Sequence, residues 1–165
     1  MAYESATSLA QGDASYIAAI LRARQMLNRR ALVAAAAGIV PVPGLDWAVD
    51  AALLSRLLPK INQEFGLSPE QLAKLEPAKR ERVQKAIAMV GTLLIGKFIT
   101  RDLVIKAAKM VGMRMTAAQA AKFVPLAGQA VSAIMGYAAL RYVGEEHIKD
   151  CVRVAQKAQL LLPAP

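Results

Sequence analysis

The only histidine and the only cysteine of the chain, His147 and Cys151, are four residues apart. On a helix this spacing would place them side by side, as a general base beside a thiol nucleophile. The surrounding sequence offers no recognisable oxyanion donors, and it has neither a second histidine nor the Cys-x-x-Cys pair of a zinc site. We therefore interpret Cys151 as a small buried apolar residue and predict no catalytic role for the pair.

Two carboxylates, Asp46 and Asp50, are also spaced for joint chemistry, either acid–base catalysis or metal binding. They stand at the start of a predicted helix, where unpaired N–H groups and the positive end of the helix dipole stabilise a carboxylate. The chain also offers many basic residues that could pair with them. The sequence therefore favours a structural role for both aspartates.

The segment GTLLIGKF, residues 91–98, nearly fits the phosphate-binding pattern G-x-x-x-x-G-K-[ST]. It departs from this pattern at Phe98, which replaces the hydroxyl that would bind magnesium, and no strand precedes the segment. We expect residues 92–95 to be helical instead of forming a phosphate-binding loop. In the absence of another such motif, we predict a protein with no cofactor and no enzymatic activity.

The elements that must position these side chains follow from composition and periodicity. The 165 residues are 56% hydrophobic but only 5% aromatic, and the abundance of alanine favours closely packed helices. We predict an all-α fold, a compact bundle of about six or seven helices built around two proline/glycine-broken helical hairpins. The predicted domain spans residues 14–162, between a disordered N-terminal tail at 1–13 and a disordered tip at 163–165.

The first predicted hairpin turns at IVPVPGLDWAVD, residues 39–50. Its first helix runs from about Ala14, after an Asp13 N-cap, to about Gly38. The two prolines that follow lack an N–H and disfavour a helical conformation before them, and glycine permits a sharp turn. A second helix then runs from about Leu45 to Phe65. A similar break, VPLAG, follows 84 positions later. The residues assigned to the two turns are Pro41, Pro43, Gly44, Asp46, Asp50, Pro125 and Gly128.

The remaining elements are placed by caps and breaks. Pro59 should kink the second helix and Gly66 should end it, and Ser68 should cap a short helix with a capping box. Pro77 begins a helix predicted to continue to Gly96. Two further helices start at Thr100 and Thr116, and the final segment from 145 is amphipathic. Small residues after the second break form a row that lets another helix approach closely: Gly128, Ser132, Gly136 and Gly144.

The net charge of +9, from 21 Lys and Arg against 12 Asp and Glu, predicts attraction to anions. The sequence does not favour nucleic acid as a partner, because the basic helical runs lack a recognised fingerprint and a set of stacking aromatic residues. Basic residues instead bracket the apolar hairpins, which suits an anionic lipid surface. The residues predicted to face a membrane or another anion are Arg22, Arg29, Arg30, Lys79, Arg80, Arg82, Lys97, Arg101, Lys122 and Arg141.

The stretch from residue 34 to residue 68 resembles a helical family of unknown function, represented by the bacterial inner-membrane protein YcjF and also found after the GTPase domain of some Era-like GTPases. The helical part of immunity-related GTPases has a similar Pro-x-Pro-Gly start. The resemblance implies a helical, membrane-associated module that works with a GTPase in a partner protein. The residues that carry it are Ala34 to Ala37, Pro41, Pro43, Gly44, Asp46, Asp50, Phe65, Gly66 and Leu67.

Three functional hypotheses follow. The first is a non-enzymatic module that binds anionic membranes through its basic surface, with a GTPase-type partner. The second is a soluble scaffold or regulator that binds a protein through the small-residue row or through Met110, Met113 and Met115. The third is a membrane-disrupting protein whose hairpins open in lipid. All three hypotheses are compatible with a homo-oligomer. The single cysteine fits a reducing cytoplasm, so we expect a cytoplasmic protein, peripheral on or partly inserted in the inner membrane.

Overall fold

The computed structural model describes residues 5–37, 45–92, 94–95, 129–160 and 162. The secondary structure of this part of the chain is entirely helical, which confirms the predicted all-α class. The predicted total of six or seven helices stays a prediction, since the helices expected from Thr100 and Thr116 lie outside the described residues. The described helices are α1 (Ala6–Leu9), α2 (Ala14–Ala37), α3 (Leu45–Glu64), α4 (Pro69–Ala73), α5 (Pro77–Val90) and α6 (Gln129–Lys157).

Helix α2 begins where the sequence places its cap. Asp13 Oδ1 accepts hydrogen bonds from the backbone N–H groups of Ser15 at 2.8 Å and Tyr16 at 3.3 Å, which satisfies donors that a helix start leaves unpaired. The buried positions then recur every three or four residues, so that one face of α2 enters the core. These positions are Tyr16, Ala19, Ile20, Ala23, Leu27 and Ala31.

Helix α3 ends in the glycine cap that the sequence predicts. Gly66 has a φ of +69°, and its N–H donates to Gln63 O at 3.2 Å while the Leu67 N–H donates to Asn62 O at 2.9 Å. This pair of bonds is the Schellman arrangement, which satisfies the last carbonyls of a helix. The helix continues through Pro59. Phe65 and Leu67 on either side of the glycine are fully buried and anchor the turn in the core.

Helices α4 and α5 start as predicted, but α5 ends earlier. Ser68 forms a capping box with Gln71, and Pro77 occupies the first turn of α5. The predicted end at Gly96 is wrong, because Gly91 adopts a left-handed φ of 70°, its N–H bonds to Ile87 O, and α5 ends at Val90. The expected helical conformation of residues 92–95 is therefore wrong for 92, 94 and 95.

Helix α6 is the central element, since it contacts α1, α2, α3 and α5. Three members of the predicted small-residue row, Ser132, Gly136 and Gly144, and most of the predicted amphipathic last segment belong to this one helix of 29 residues. It ends at Lys157, where the Leu160 N–H donates to Ala155 O at 2.9 Å. Helix α6 is antiparallel to α2, because Tyr16 near the start of α2 bonds to Leu160 O while Arg24 further along it pairs with Glu145.

The N-terminal boundary predicted from sequence needs correction. Residues 5–13 belong to the domain and not to a disordered tail, because α1 packs on α6 and buries Ala6 and Ala10 almost completely. Gln156 of α6 donates to Leu9 O at 2.6 Å, and Ser5 caps α1. A four-residue helix is too short to be stable alone, so its order comes from these tertiary contacts. Residues 163–165 lie outside the described residues.

At Gly144, one member of the predicted small-residue row, a side chain of α2 packs against the backbone of α6. A Cβ built on Gly144 would lie 2.6 Å from Leu27 Cδ2, and Leu27 is completely buried on α2. The absence of a side chain at Gly144 therefore lets a leucine from α2 sit against the backbone of α6. A new methyl group here would force a packed side chain from its position.

We expect Gly144→Ala to lower the free energy of unfolding by about 1–3 kcal/mol, as overpacking does in other cores. Leu27→Ala should also destabilise, but the two changes should be less than additive, because the truncated side chain makes room for the new methyl group. Urea denaturation of the single and double variants measures this coupling. Additive losses would show that Leu27 does not pack on Gly144.

Candidate functional site

The histidine and cysteine considered as a catalytic pair, His147 and Cys151 of α6, lie in a buried polar cluster with Asn62 of α3. Asn62 Oδ1 lies 2.8 Å from His147 Nε2 and 3.4 Å from Cys151 Sγ. Asn62 Nδ2 donates to Leu94 O at 2.8 Å. We assign the neutral imidazole proton to Nε2, because Asn62 Oδ1 can only accept. The cluster thus joins α3, α6 and the segment after α5.

Burial sets the protonation of this cluster. Desolvation lowers the pKa of His147 from 6.5 to about 4, against a smaller opposing effect of the Leu58 carbonyl. Burial also raises the pKa of Cys151 well above its ordinary value, and the charge of Asp150 acts in the same direction. Both groups are therefore neutral near pH 7, with the Sγ and Nε2 atoms 3.6 Å apart. A thiol held in this state is a poor nucleophile, and the cluster suits a structural role.

The spacing of His147 and Cys151 predicts that they are neighbours, but it does not indicate Asn62, whose Oδ1 accepts from both. The sequence signal for this role is that Asn62 directly follows Ile61 and lies three residues before Phe65, on the apolar face of α3. Such a residue must find hydrogen-bond partners when it is buried. Its partners are 85 or more positions away on α6, so the sequence by itself did not identify them.

The carboxylates of the described residues are largely engaged within the fold. Arg22 pairs with Glu64 at 2.6 Å, and the Arg24 guanidinium binds both Glu145 oxygens as well as Thr7 Oγ1. Asp13 caps α2. Further ion pairs join Lys85 with Glu81, Lys149 with Glu146, and Arg153 with Asp150. Most of the negative charge in this part of the molecule is therefore balanced locally.

Many basic side chains are exposed and form no ion pair or side-chain hydrogen bond with another described residue. They include three of the predicted anion-facing residues, Arg29, Arg30 and Lys79. They also include residues that the prediction left out, from α3 to the end of α6: Arg56, Lys60, Lys74 and Lys157. The exterior described here thus carries positive charge without local compensation.

Other predicted anion-facing residues have contacts of their own. Arg22 forms the ion pair with Glu64, and the Arg80 guanidinium donates to the carbonyls of Leu72, Ala73 and Leu75 at the end of α4. These two arginines therefore have structural roles, which the prediction did not foresee. Arg82 is exposed and donates to Gln159 at 3.3 Å, and Arg141 is half-buried. Lys97, Arg101 and Lys122 lie outside the described residues.

The predicted hairpin residues are only partly described. Asp46 and Asp50 belong to the first two turns of α3, and the Arg22–Glu64 pair, which joins the first half of α2 to the end of α3, fits antiparallel arms. Ser132 and Gly136 belong to α6. The predicted residues outside the described ranges are Pro41, Pro43, Gly44, Pro125, Gly128, Met110, Met113 and Met115.

The fold and these surfaces define an all-α protein with a neutral buried polar cluster and a basic exterior. Within the described ranges, no three His, Cys, Asp or Glu side chains gather as they would around a metal ion. Nor does any helix in the same ranges have the length and apolar character needed to cross a bilayer. Comparison of the chain with protein-family models, curated proteins and solved structures gave no match. The resemblance to the YcjF-like family remains a hypothesis.

Proposed function

We propose that this protein is a non-enzymatic helical module that binds anionic membrane surfaces through its basic exterior. One observation carries the proposal: the described carboxylates are largely used in ion pairs and caps, while several exposed arginine and lysine side chains have no such partner among the described residues. Arg29, Arg30 and Lys79 illustrate this surplus. The fold thus retains the positive field that the net charge of +9 predicts.

The surplus of exposed basic residues favours an anionic lipid surface as the binding partner. Each basic residue held near an anionic leaflet contributes about 1 kcal/mol of attraction, so a few residues acting together produce reversible binding. The attraction acts over about 10 Å at an ionic strength of 0.1 M and weakens as salt is added. Binding of this kind needs no catalytic group and no cofactor.

Vesicle flotation tests the proposal with the whole chain. We expect the protein to float with phosphatidylcholine vesicles only when they contain phosphatidylglycerol, in an amount that rises with the phosphatidylglycerol content and falls as salt is added. Neutral vesicles at the same lipid concentration are the control. Failure to float at every phosphatidylglycerol content in low salt would reject membrane binding.

The resemblance adds a GTPase-type protein as a partner within this proposal, and a pull-down with the tagged chain tests it. If the chain recovers a GTPase but does not bind vesicles, the soluble scaffold is favoured instead. Release of an entrapped dye on vesicle binding would favour the membrane-disrupting function. Intact vesicles with bound protein are the result expected for peripheral docking.

A further inference from the structure

Three of the four large hydrophobic side chains that are exposed among the described residues lie on α2. Leu21 is 58% exposed, Leu32 is 62% exposed and Val33 is 57% exposed. Leu21 and Leu32 are eleven positions apart, which is about three helical turns or 17 Å along the axis. They therefore lie on the same side of α2, away from the face that buries Leu27 in the core.

Basic residues accompany these apolar side chains. Arg29 and Arg30 are exposed and are separated from Leu32 and Val33 only by the buried Ala31, and neither arginine forms an ion pair with a described residue. No acidic residue occurs in the sequence between Asp13 and Asp46. We call the group formed by Leu21, Arg29, Arg30, Leu32 and Val33 the α2 ridge. At about 100° per residue its members span about half of the circumference of α2, with Leu21 and Leu32 at one edge, Arg29 and Val33 between, and Arg30 at the other edge. Its combination of apolar tips and unpaired guanidinium groups is the pattern of an interfacial helix.

We propose that the α2 ridge is the face with which the protein docks on an anionic phospholipid bilayer, with α2 parallel to the membrane plane. Leu21, Leu32 and Val33 enter the boundary between headgroups and acyl chains, while Arg29 and Arg30 bind lipid phosphates. This inference rests on the proposed membrane function and names the surface responsible for it. Charge complementarity selects this occupant over a second copy of the chain, because two such ridges would bring guanidinium groups together.

Matched pairs of substitutions test the ridge on vesicles that contain phosphatidylglycerol. We expect Arg29→Gln with Arg30→Gln to weaken the partition coefficient about thirtyfold, since each arginine contributes about 1 kcal/mol at the surface. Lys74→Gln with Lys79→Gln removes the same charge from exposed residues at α4 and α5, and should weaken it less than about threefold.

A second comparison isolates the apolar contribution. Leu32→Ser with Val33→Ser should weaken partitioning about tenfold, because the serine side chains lack the favourable free energy that leucine and valine gain on transfer from water to an apolar environment. Met89→Ser changes an exposed hydrophobic residue of α5, 67% exposed, and should have little effect. All replaced residues are exposed, so equal melting temperatures of the variants are expected and can be verified by circular dichroism.

Position-specific labelling gives an independent readout of insertion. A polarity-sensitive dye on Leu32→Cys should shift to shorter wavelength when vesicles are added, whereas the same dye on Met89→Cys should not. Cys151 is fully buried and should not react in the folded protein.

The outcomes separate the two proposals. If the unmodified chain binds vesicles but ridge and control variants bind equally well, the ridge is not the docking face and the proposed function stands. If the unmodified chain does not bind, the proposed function fails. A change of oligomeric state in the ridge variants without lipid, seen by sedimentation velocity, would identify a second copy as the occupant and overturn the inference.

Discussion

Replacing Asn62 with alanine should lower the free energy of unfolding by about 3–5 kcal/mol, because it leaves several buried polar groups without partners. The His147 Nε2–H and the Cys151 thiol would lose their shared acceptor, and the Leu94 carbonyl would lose its donor. Each unpaired buried group costs about 1–3 kcal/mol, and the deleted side chain adds a cavity in the core. Among polar side chains of the described core, this is the substitution with the largest expected effect.

Urea denaturation, monitored by circular dichroism, measures this loss. The urea concentration at the midpoint of unfolding should fall, while the slope of the unfolding free energy against urea concentration stays the same. Gln63→Ala is the matched control, since it removes a longer amide side chain from the adjacent, exposed position of α3, and it should change the stability by less than about 0.5 kcal/mol. Cys151→Ala removes one weak donor and should cost less than Asn62→Ala. An Asn62→Ala variant as stable as the control would mean that the cluster does not hold α3 against α6.

Stability should also fall with acid between about pH 6.5 and pH 4 because of His147. In the unfolded chain this group has an ordinary pKa of 6.5, whereas burial lowers its pKa to about 4 in the fold. The unfolded state therefore binds the proton first, and stability is fully present above pH 6.5 and is lost as the pH falls towards 4. Below both pKa values the loss is complete, at about 3 kcal/mol for this residue.

The comparison with His147→Gln isolates this contribution from that of the carboxylates. Glutamine is uncharged, and its amide can donate to Asn62 Oδ1 as the Nε2–H group does. Between about pH 7 and pH 4, the free energy of unfolding of the His147→Gln variant should fall by roughly 3 kcal/mol less than that of the unmodified protein. Parallel stability curves for the two proteins over this range would contradict the assignment of a buried neutral histidine.

The ion pairs of the fold bear on the proposed membrane function. A fold that uses its carboxylates in ion pairs such as Arg24 with Glu145 leaves its remaining basic residues for an external anion. The α2 ridge is the one place among the described residues where unpaired arginines adjoin two exposed large apolar side chains. Surface substitutions there should therefore alter lipid binding without altering the core.

Local signals in the sequence were enough for the starts of most described helices. Asp13, Ser68 and Pro77 begin α2, α4 and α5, and Gly66 ends α3, because each acts on backbone groups only a few residues away. The early end of α5 at Gly91 was missed, although glycine after an apolar helix is a recognised stop. The predicted helix was too long because the apolar run continues past Gly91, a residue able to adopt a left-handed conformation.

The amino-acid sequence by itself determined the all-α class, most helix starts and the positive charge, since these depend on near neighbours or on composition. Only the tertiary structure decided that α1 is ordered, that Asn62 bridges His147 and Cys151, and that Leu27 lies on Gly144. It also decided which arginines are paired and which are exposed. These features join residues distant in sequence, and they depend on how the helices rotate and pack against one another, which no local pattern specifies.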